Sequence, residues 1–160
     1  MERLIEPHLK TLLLNARLAE NCLEGVDDVT ACKRLTGNTN HMAFVFCHLV
    51  DVRYYLARML GIDAACPFKE LFDKVRSVDD MREVPALADL RAAWTAVTAI
   101  VAERLAEVAA DELLEQTGQS FPNEDSTRLG ALAFLLQHEA YHIGQLGLLR
   151  KALGFGPMRY

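Results

Sequence analysis

Apolar residues recur at steps of three and four along four separate stretches of this chain of 160 residues. Because an α-helix turns once every 3.6 residues, this spacing puts the apolar side chains of each stretch on one helical face. Gly25, Gly61 and Gly154 follow three of the stretches, as expected where helices end. The pattern therefore predicts four amphipathic helices, over residues 4–23, 42–60, 85–108 and 126–153.

The connections between these helices determine the predicted architecture. Residues 62–84 form the longest connection, and residues 68–72 within it have the composition of a short helix that crosses one end of the molecule. The third helix either continues or begins again at residues 111–114. No stretch alternates apolar and polar residues between hairpin turns, so no sheet is expected. The sequence predicts an all-α fold, a four-helix bundle with a long crossover between helices two and three, forming one domain over residues 1–160.

Charge, hydropathy and cysteine spacing exclude several classes of protein. The net charge of -5 and the sequence pI of about 5.5 argue against nucleic-acid binding, which needs a basic face to neutralise phosphates. No uninterrupted apolar run approaches the roughly 18 residues of a membrane span, and carboxylates interrupt the N-terminus where a signal peptide would be apolar. The four cysteines include no Cys-x-x-Cys pair, which is typical of reduced thiols in the cytoplasm. We therefore expect a cytoplasmic protein that binds neither nucleic acid nor membrane.

Three histidines occupy comparable positions on two of the predicted helices. On helix four, His142 lies about 40° around the axis from His138, at one edge of the apolar face. His48 has the same relation to the apolar face of helix two. Facing helices of a bundle build metal sites in this way, and three protein ligands leave one coordination position open, as in catalytic sites. The sequence predicts one divalent metal ion held by His48, His138 and His142.

Four more polar side chains are predicted to lie beside this site. Gln145 falls near the two histidines of helix four, and His41, Asp51 and Tyr55 fall on the corresponding side of helix two. We expect these four residues to bind substrate or to support the ligand histidines. The imidazole N–H groups of the ligands need an acceptor, and Asp51 or Glu139 fits that role.

The segment His-Glu-x-x-His at 138–142 also matches zinc proteases, in which the glutamate is a general base. Those enzymes need a further ligand downstream, but none of the 18 residues after His142 is a histidine. On the helical wheel Glu139 falls inside the apolar face, where a carboxylate needs a partner. Arg53 has a comparable interior position on helix two, so we predict a Glu139–Arg53 ion pair. A di-iron site would need a second Glu-x-x-His motif, which the sequence lacks.

Two segments resemble helices of a known family. Residues 137–154, with the core His-x-x-x-His-x-x-Gln, resemble the last helix of the DinB/YfiT-like family of helical metalloproteins, and residues 46–56 resemble its second helix. Members of that family typically bind a divalent ion, often zinc or nickel, through three histidines and commonly form homodimers. By this resemblance the ligands are His48, His138 and His142, the same residues that the helical wheel selects.

The resemblance also implies a type of reaction. The best understood branches of the family use low-molecular-weight thiols, among them mycothiol-dependent isomerases and bacillithiol transferases. We therefore expect an enzyme that depends on one zinc or nickel ion and acts on a small molecule, as a thiol-dependent transferase or isomerase. The sequence assigns no catalytic group beyond a metal-bound thiolate or water. The alternative is a dimeric bundle whose metal site is structural or sensing, and a metallohydrolase that uses Glu139 is a third hypothesis.

Overall fold

The structure, a computed structural model, describes residues 2–75 and 77–160, with side chains from Ile5 onward. The predicted place of Leu4 in an apolar face lies outside the described side chains. The described residues form seven α-helices and no strand, and Gln116 and Thr127 make only an isolated bridge. The helices are α1 (Glu2–Cys22), α2 (Asp28–Ala31), α3 (Met42–Met59), α4 (Lys69–Phe72), α5 (Leu87–Glu107), α6 (Ala110–Leu113) and α7 (Arg128–Ala152). The predicted all-α fold is confirmed.

The four long helices have nearly the predicted bounds, and the differences arise at hydrogen bonds that cap them. Helix α7 begins after Thr127, whose hydroxyl accepts the Gly130 N–H at 3.0 Å. Helix α5 begins at Leu87, where the Asp28 carboxylate accepts the backbone N–H at 2.7 Å. Asp28 lies in α2, a short helix that the sequence analysis did not predict, so a contact between distant segments sets this boundary.

The four long helices form a bundle in which α3 packs against α5 and α7, and α1 packs against the same two helices. Helices α3 and α7 are antiparallel, because Val45 lines a cavity with Leu149 while His48, later in α3, meets His138, earlier in α7. The crossover from α3 to α5 contains α4, the short helix predicted at residues 68–72, and a 3₁₀ turn at Val78–Asp80 that was not predicted. The antiparallel pair α3 and α7 carries all three predicted metal ligands.

Trp94 on α5 lies at the centre of the bundle. Its side chain is 1 % exposed, and its Nε1 donates to the Ala16 carbonyl of α1 at 3.3 Å. The Phe46 ring meets it edge to face at 5.8 Å, and the Arg53 guanidinium lies 3.7 Å above its ring. Trp94 therefore contacts both α1 and α3, and its burial removes a large apolar area from water.

The described residues include no helix with both the length and the apolar composition needed to cross a membrane. All four cysteines are free. The C-terminal residues fold back on the α1 side of α7, where the Arg159 N–H donates to Asn21 at 2.9 Å and Met158 lies against Gly147. The tail therefore does not cover the cleft between α3 and α7.

His41 is the N-terminal cap of α3, since its Nδ1 accepts the Phe44 N–H at 3.0 Å. We expect His41→Ala to lower the free energy of unfolding by about 1 kcal/mol, because the Phe44 N–H loses its acceptor. His41→Asn supplies a side-chain oxygen in its place and is expected to cost less. Urea unfolding of the two variants at pH 7.5 measures the difference, and equal losses would contradict the capping role.

Burial and the nearby Arg34 lower the pKa of His41 in the folded state. Below a pH of about 6.5 the unfolded chain therefore binds a proton at this residue that the folded chain resists, so His41 reduces stability as the pH falls. His41→Asn removes that proton, and we expect its stability to fall less between pH 7.5 and pH 5.5 than that of the unsubstituted protein. Urea unfolding at the two pH values tests this, and parallel losses would contradict it.

Candidate metal centre

The three predicted ligands meet in the cleft between α3 and α7. His48 Nε2 lies 3.0 Å from His138 Nε2, and His142 Nε2 lies 3.1 Å from the same atom. All three side chains are half-buried, and they can place one nitrogen each within 4.8 Å of the others. Two ligands come from consecutive turns of α7 and the third comes from α3, so the site depends on how these helices pack.

The donor set fits a divalent metal ion. Two nitrogens that lie 2.0–2.1 Å from a tetrahedral ion are about 3.3 Å apart, so the observed separations need to change by only a few tenths of an ångström. Three nitrogens leave one position of a tetrahedron unfilled by protein. Since imidazole ligands are neutral, a bound divalent ion would keep its full charge and act as a strong Lewis acid.

Burial favours the neutral form of two of these histidines, His48 and His138. Burial is the largest cause that lowers the pKa of His48 to about 4, and the neighbouring His142 and His138 lower it further. Burial likewise lowers the pKa of His138, with a further lowering from His142. Metal ions bind the neutral imidazole, so at neutral pH these two side chains release no proton on binding.

Gln145 fixes the orientation of one ligand. Its Oε1 lies 2.8 Å from His142 Nδ1, and since a carboxamide oxygen accepts hydrogen bonds, the His142 proton lies on Nδ1. His142 Nε2 then carries the lone pair that faces the other two histidines. Gln145 was among the residues predicted to support the site, and the structure brings it into contact with a ligand.

We expect Gln145→Leu to weaken metal binding by 10–100-fold, because loss of an outer hydrogen-bond partner typically has this effect. Leucine has a similar size but accepts no hydrogen bond, so His142 is free to rotate and to move its proton to Nε2. Competition between the protein and a chromogenic zinc chelator measures the affinity. Gln137→Leu, on an exposed position of the same helix, is the matched control.

The other three residues predicted beside the site have partners of their own. His41 caps α3, as described above, about two turns from His48. The Asp51 carboxyl hydrogen-bonds the Cys66 thiol, and burial raises its pKa. The Tyr55 hydroxyl donates to Gln119 Oε1 in the loop before α7. None of these hydrogen bonds is made to the three ligands, so a direct role for these residues in the site stays a prediction.

Glu139 does not support the ligand histidines, because Arg53 and Asn15 occupy its oxygens. Arg53 Nε donates to Oε1 at 2.7 Å and Arg53 Nη2 donates to Oε2 at 2.5 Å, while Asn15 Nδ2 donates to Oε2 at 3.2 Å. The Glu139 and Arg53 side chains are fully buried, which confirms the predicted ion pair. A general base must reach a water molecule on the open side of a metal site, so this geometry disfavours the zinc-protease hypothesis.

Aromatic side chains that the sequence analysis did not select contact two of the three histidines. The Phe134 ring lies 5.9 Å from that of His138 and also meets Phe121, and the Tyr141 ring lies 5.1 Å from that of His142. Phe134 lies one turn before His138, and Tyr141 directly precedes His142. Helical spacing could therefore have indicated that both lie near the metal centre. Phe121 belongs to a loop, and helical periodicity gives no information about where a loop residue lies.

The fold and the site define a class of protein, an all-helical bundle with three histidines gathered between two antiparallel helices. The model of the DinB superfamily matches residues 12–146, and the chain belongs to that superfamily. No curated protein matches this chain. The predicted family assignment is thereby confirmed, and membership and geometry together support a metal-binding protein.

Proposed function

We propose that this protein is a metal-dependent enzyme that transfers a low-molecular-weight thiol to a small electrophilic molecule. The observation that carries the proposal is the convergence of the Nε2 atoms of His48, His138 and His142, which would leave one position of a bound tetrahedral ion free. A closed structural site would fill that position with a fourth protein ligand, whereas a catalytic site leaves it to water or substrate. Zinc and nickel are the ions that we propose, since imidazole suits both.

A divalent ion bound here would lower the pKa of a thiol that reaches the free position, and so would raise the fraction of thiolate at neutral pH. Residues of the chain would have separate roles at such a bound ion. His48, His138 and His142 would hold the ion, and Gln145 keeps the proton of His142 away from it. The rings of Phe134 and Tyr141 lie against those of His138 and His142, respectively.

The proposed transfer needs no oxidant or reductant. The thiol sulfur forms a bond to an electrophilic carbon of the substrate, and the bond from that carbon to its leaving group breaks. With a chlorinated aromatic substrate, chloride leaves with the bonding electron pair and the thiol proton passes to solvent. The products are a thioether, chloride and one proton, so atoms and charge balance.

Elemental analysis of the purified protein, followed by a thiol screen, tests this proposal. We expect one divalent ion per chain and turnover of 1-chloro-2,4-dinitrobenzene with at least one low-molecular-weight thiol, above the rate without protein. Two ions per chain would contradict the mononuclear site. One ion per chain without turnover by any thiol would favour the alternative, a non-catalytic bundle with a structural or sensing metal.

A further inference from the structure

A cavity of about 280 Å³ opens one helical turn from His48 and His142, two of the three ligand histidines. Its walls come from α3, from α7 and from the loop that precedes α3. On α3, Val45 lies three residues before His48, and on α7, Gln145 lies three residues after His142. Three residues correspond to a rise of about 4.5 Å along a helix, so the cavity adjoins the site. The lining residues are Asn38, Thr39, Asn40, Val45, Gln145, Leu148 and Leu149.

The lining of this cavity contains no ionisable side chain. Val45 and Leu149 form a buried apolar floor, and Leu148, 67 % exposed, lies at the rim. The other lining residues carry amide or hydroxyl groups, which can donate and accept hydrogen bonds without carrying charge. An apolar surface with a few polar groups is typical of small-molecule sites. A charged ligand would lose its hydration here and meet no counter-charge from the lining.

The loop wall of the cavity is held in place by Arg34. Its Nε donates to the Thr39 carbonyl at 2.6 Å, and its other nitrogens bind the Gly37 carbonyl and the Asp79 carboxylate. The guanidinium therefore fixes the backbone that carries Asn38 and Asn40, and its charge is balanced by Asp79. A fixed wall favours binding because little conformational entropy remains to be lost.

Gln145 connects the cavity to the metal centre. The same side chain lines the cavity and accepts the hydrogen bond of His142 Nδ1 at 2.8 Å. A small molecule bound in the cavity would therefore lie beside the His142 imidazole, whose other nitrogen faces the metal centre. A second cavity, of about 360 Å³ and lined in part by the amides of Asn123 and Gln137, also adjoins α7, but it meets the metal centre through the Phe134 ring, 5.9 Å from that of His138, and not through a hydrogen bond.

We propose that the 280 Å³ cavity binds the electrophilic substrate of this enzyme, and that this substrate is small and uncharged, with an apolar body and at least one hydrogen-bonding group. This inference rests on the proposed function, since it assigns one of the two reactants to a place beside the metal. The volume lies at the lower limit of known ligand pockets, which suits a molecule of about the size of one substituted aromatic ring. The thiol approaches the free coordination position from outside this cavity.

Titration of the zinc-loaded, ¹⁵N-labelled protein with benzyl alcohol and with benzylammonium tests the proposal. The two molecules have similar size, but only the second is charged, and neither is an anion that would bind zinc. We expect benzyl alcohol to shift the side-chain amide signals of Asn38, Asn40 and Gln145, and to bind at least five-fold more tightly than benzylammonium. Shifts confined to Asn123 and Gln137, equal binding of the two molecules, or no binding would overturn the proposal.

Asn40→Asp provides a charge test that preserves the size of the side chain. A carboxylate at the cavity wall should improve the binding of benzylammonium relative to benzyl alcohol by about three- to five-fold, the range of a partly exposed ion pair. Gln137→Glu, which makes the same change in the second cavity, should leave that ratio unchanged. An equal response of the two variants would overturn the proposal.

The proposal and the function on which it rests fail in different ways. A protein that binds zinc and turns over a thiol, but shows no shift at Asn40 and Gln145, would retain the proposed function and lose this substrate site. A protein that binds no metal, but shows those shifts and the preference for benzyl alcohol, would lose the proposed function and retain a site for small uncharged molecules.

Discussion

His142→Ala is expected to lower the affinity of the protein for zinc by at least about 100-fold. Removal of an outer partner such as Gln145 already costs 10–100-fold, and His142 is itself a ligand. Alanine leaves two nitrogens, His48 Nε2 and His138 Nε2, which are 3.0 Å apart but cannot complete the three-coordinate protein cage. His48→Ala should lower the zinc affinity by a factor of the same order, although His48 lies on the other helix, because both helices supply nitrogens to the same ion.

Chelator competition at pH 7.5 measures this loss, and circular dichroism shows whether the variants remain folded. His8→Ala is the matched control, since it also removes one imidazole but lies on α1 and outside the three-histidine cluster. It should change the zinc affinity by less than two-fold. If His142→Ala weakened binding by less than ten-fold, the principal zinc site would lie elsewhere. Any thiol transfer should fall in parallel with metal occupancy.

Arg53→Met is expected to lower the free energy of unfolding by about 3–5 kcal/mol, because it leaves the Glu139 carboxylate buried without its charge partner. Both side chains are fully buried, and the pair is bidentate. The substitution also removes the hydrogen bond from Arg53 Nη1 to Thr98, 2.8 Å long, and the cation over Trp94. Since domains are commonly stable by only 5–15 kcal/mol, such a loss is a large part of the total.

The double variant Arg53→Met with Glu139→Leu separates the cost of an unpaired charge from the cost of lost packing. Replacement of a whole buried ion pair by apolar residues is often neutral or stabilising, so the double variant should recover most of the stability. Urea unfolding of the metal-free proteins at pH 7.5, with a check that the m-value is unchanged, measures both losses. A double variant no more stable than Arg53→Met would show that packing, and not charge, dominates.

The ion pair has a second consequence for the metal centre. Arg53 lies five residues after His48 on α3, and Glu139 directly follows His138 on α7. The bidentate contact therefore sets how far α3 and α7 slide along each other, and with it the distance between the two imidazoles. We expect the double variant to remain folded but to bind zinc more weakly, because apolar side chains define this register less strictly.

The sequence by itself determined which side of each helix faces inward. The positions of His48, His138 and His142 at the edges of apolar faces, and of Arg53 and Glu139 within them, followed from the 3.6-residue period alone. For this reason the ion pair and the start of α7 next to Thr127 were predicted correctly, and the three histidines lie together as expected, whereas their binding of a metal ion stays a prediction. The side of its own helix on which each residue lies depends on neighbours within one or two turns, and such short-range relations can be read along the chain.

The tertiary structure alone decided which residues meet when they belong to segments that are far apart in sequence. His48 and His138 are 90 residues apart, and a slide of one turn, about 5.4 Å, would separate their rings without changing either helical wheel. In the same way, no local pattern indicated that Asp28 would set the start of α5 or that the loop at 38–40 would close a cavity. Periodicity reports the direction of a side chain around its own helix, whereas register and loop position depend on contacts that only the folded chain brings together.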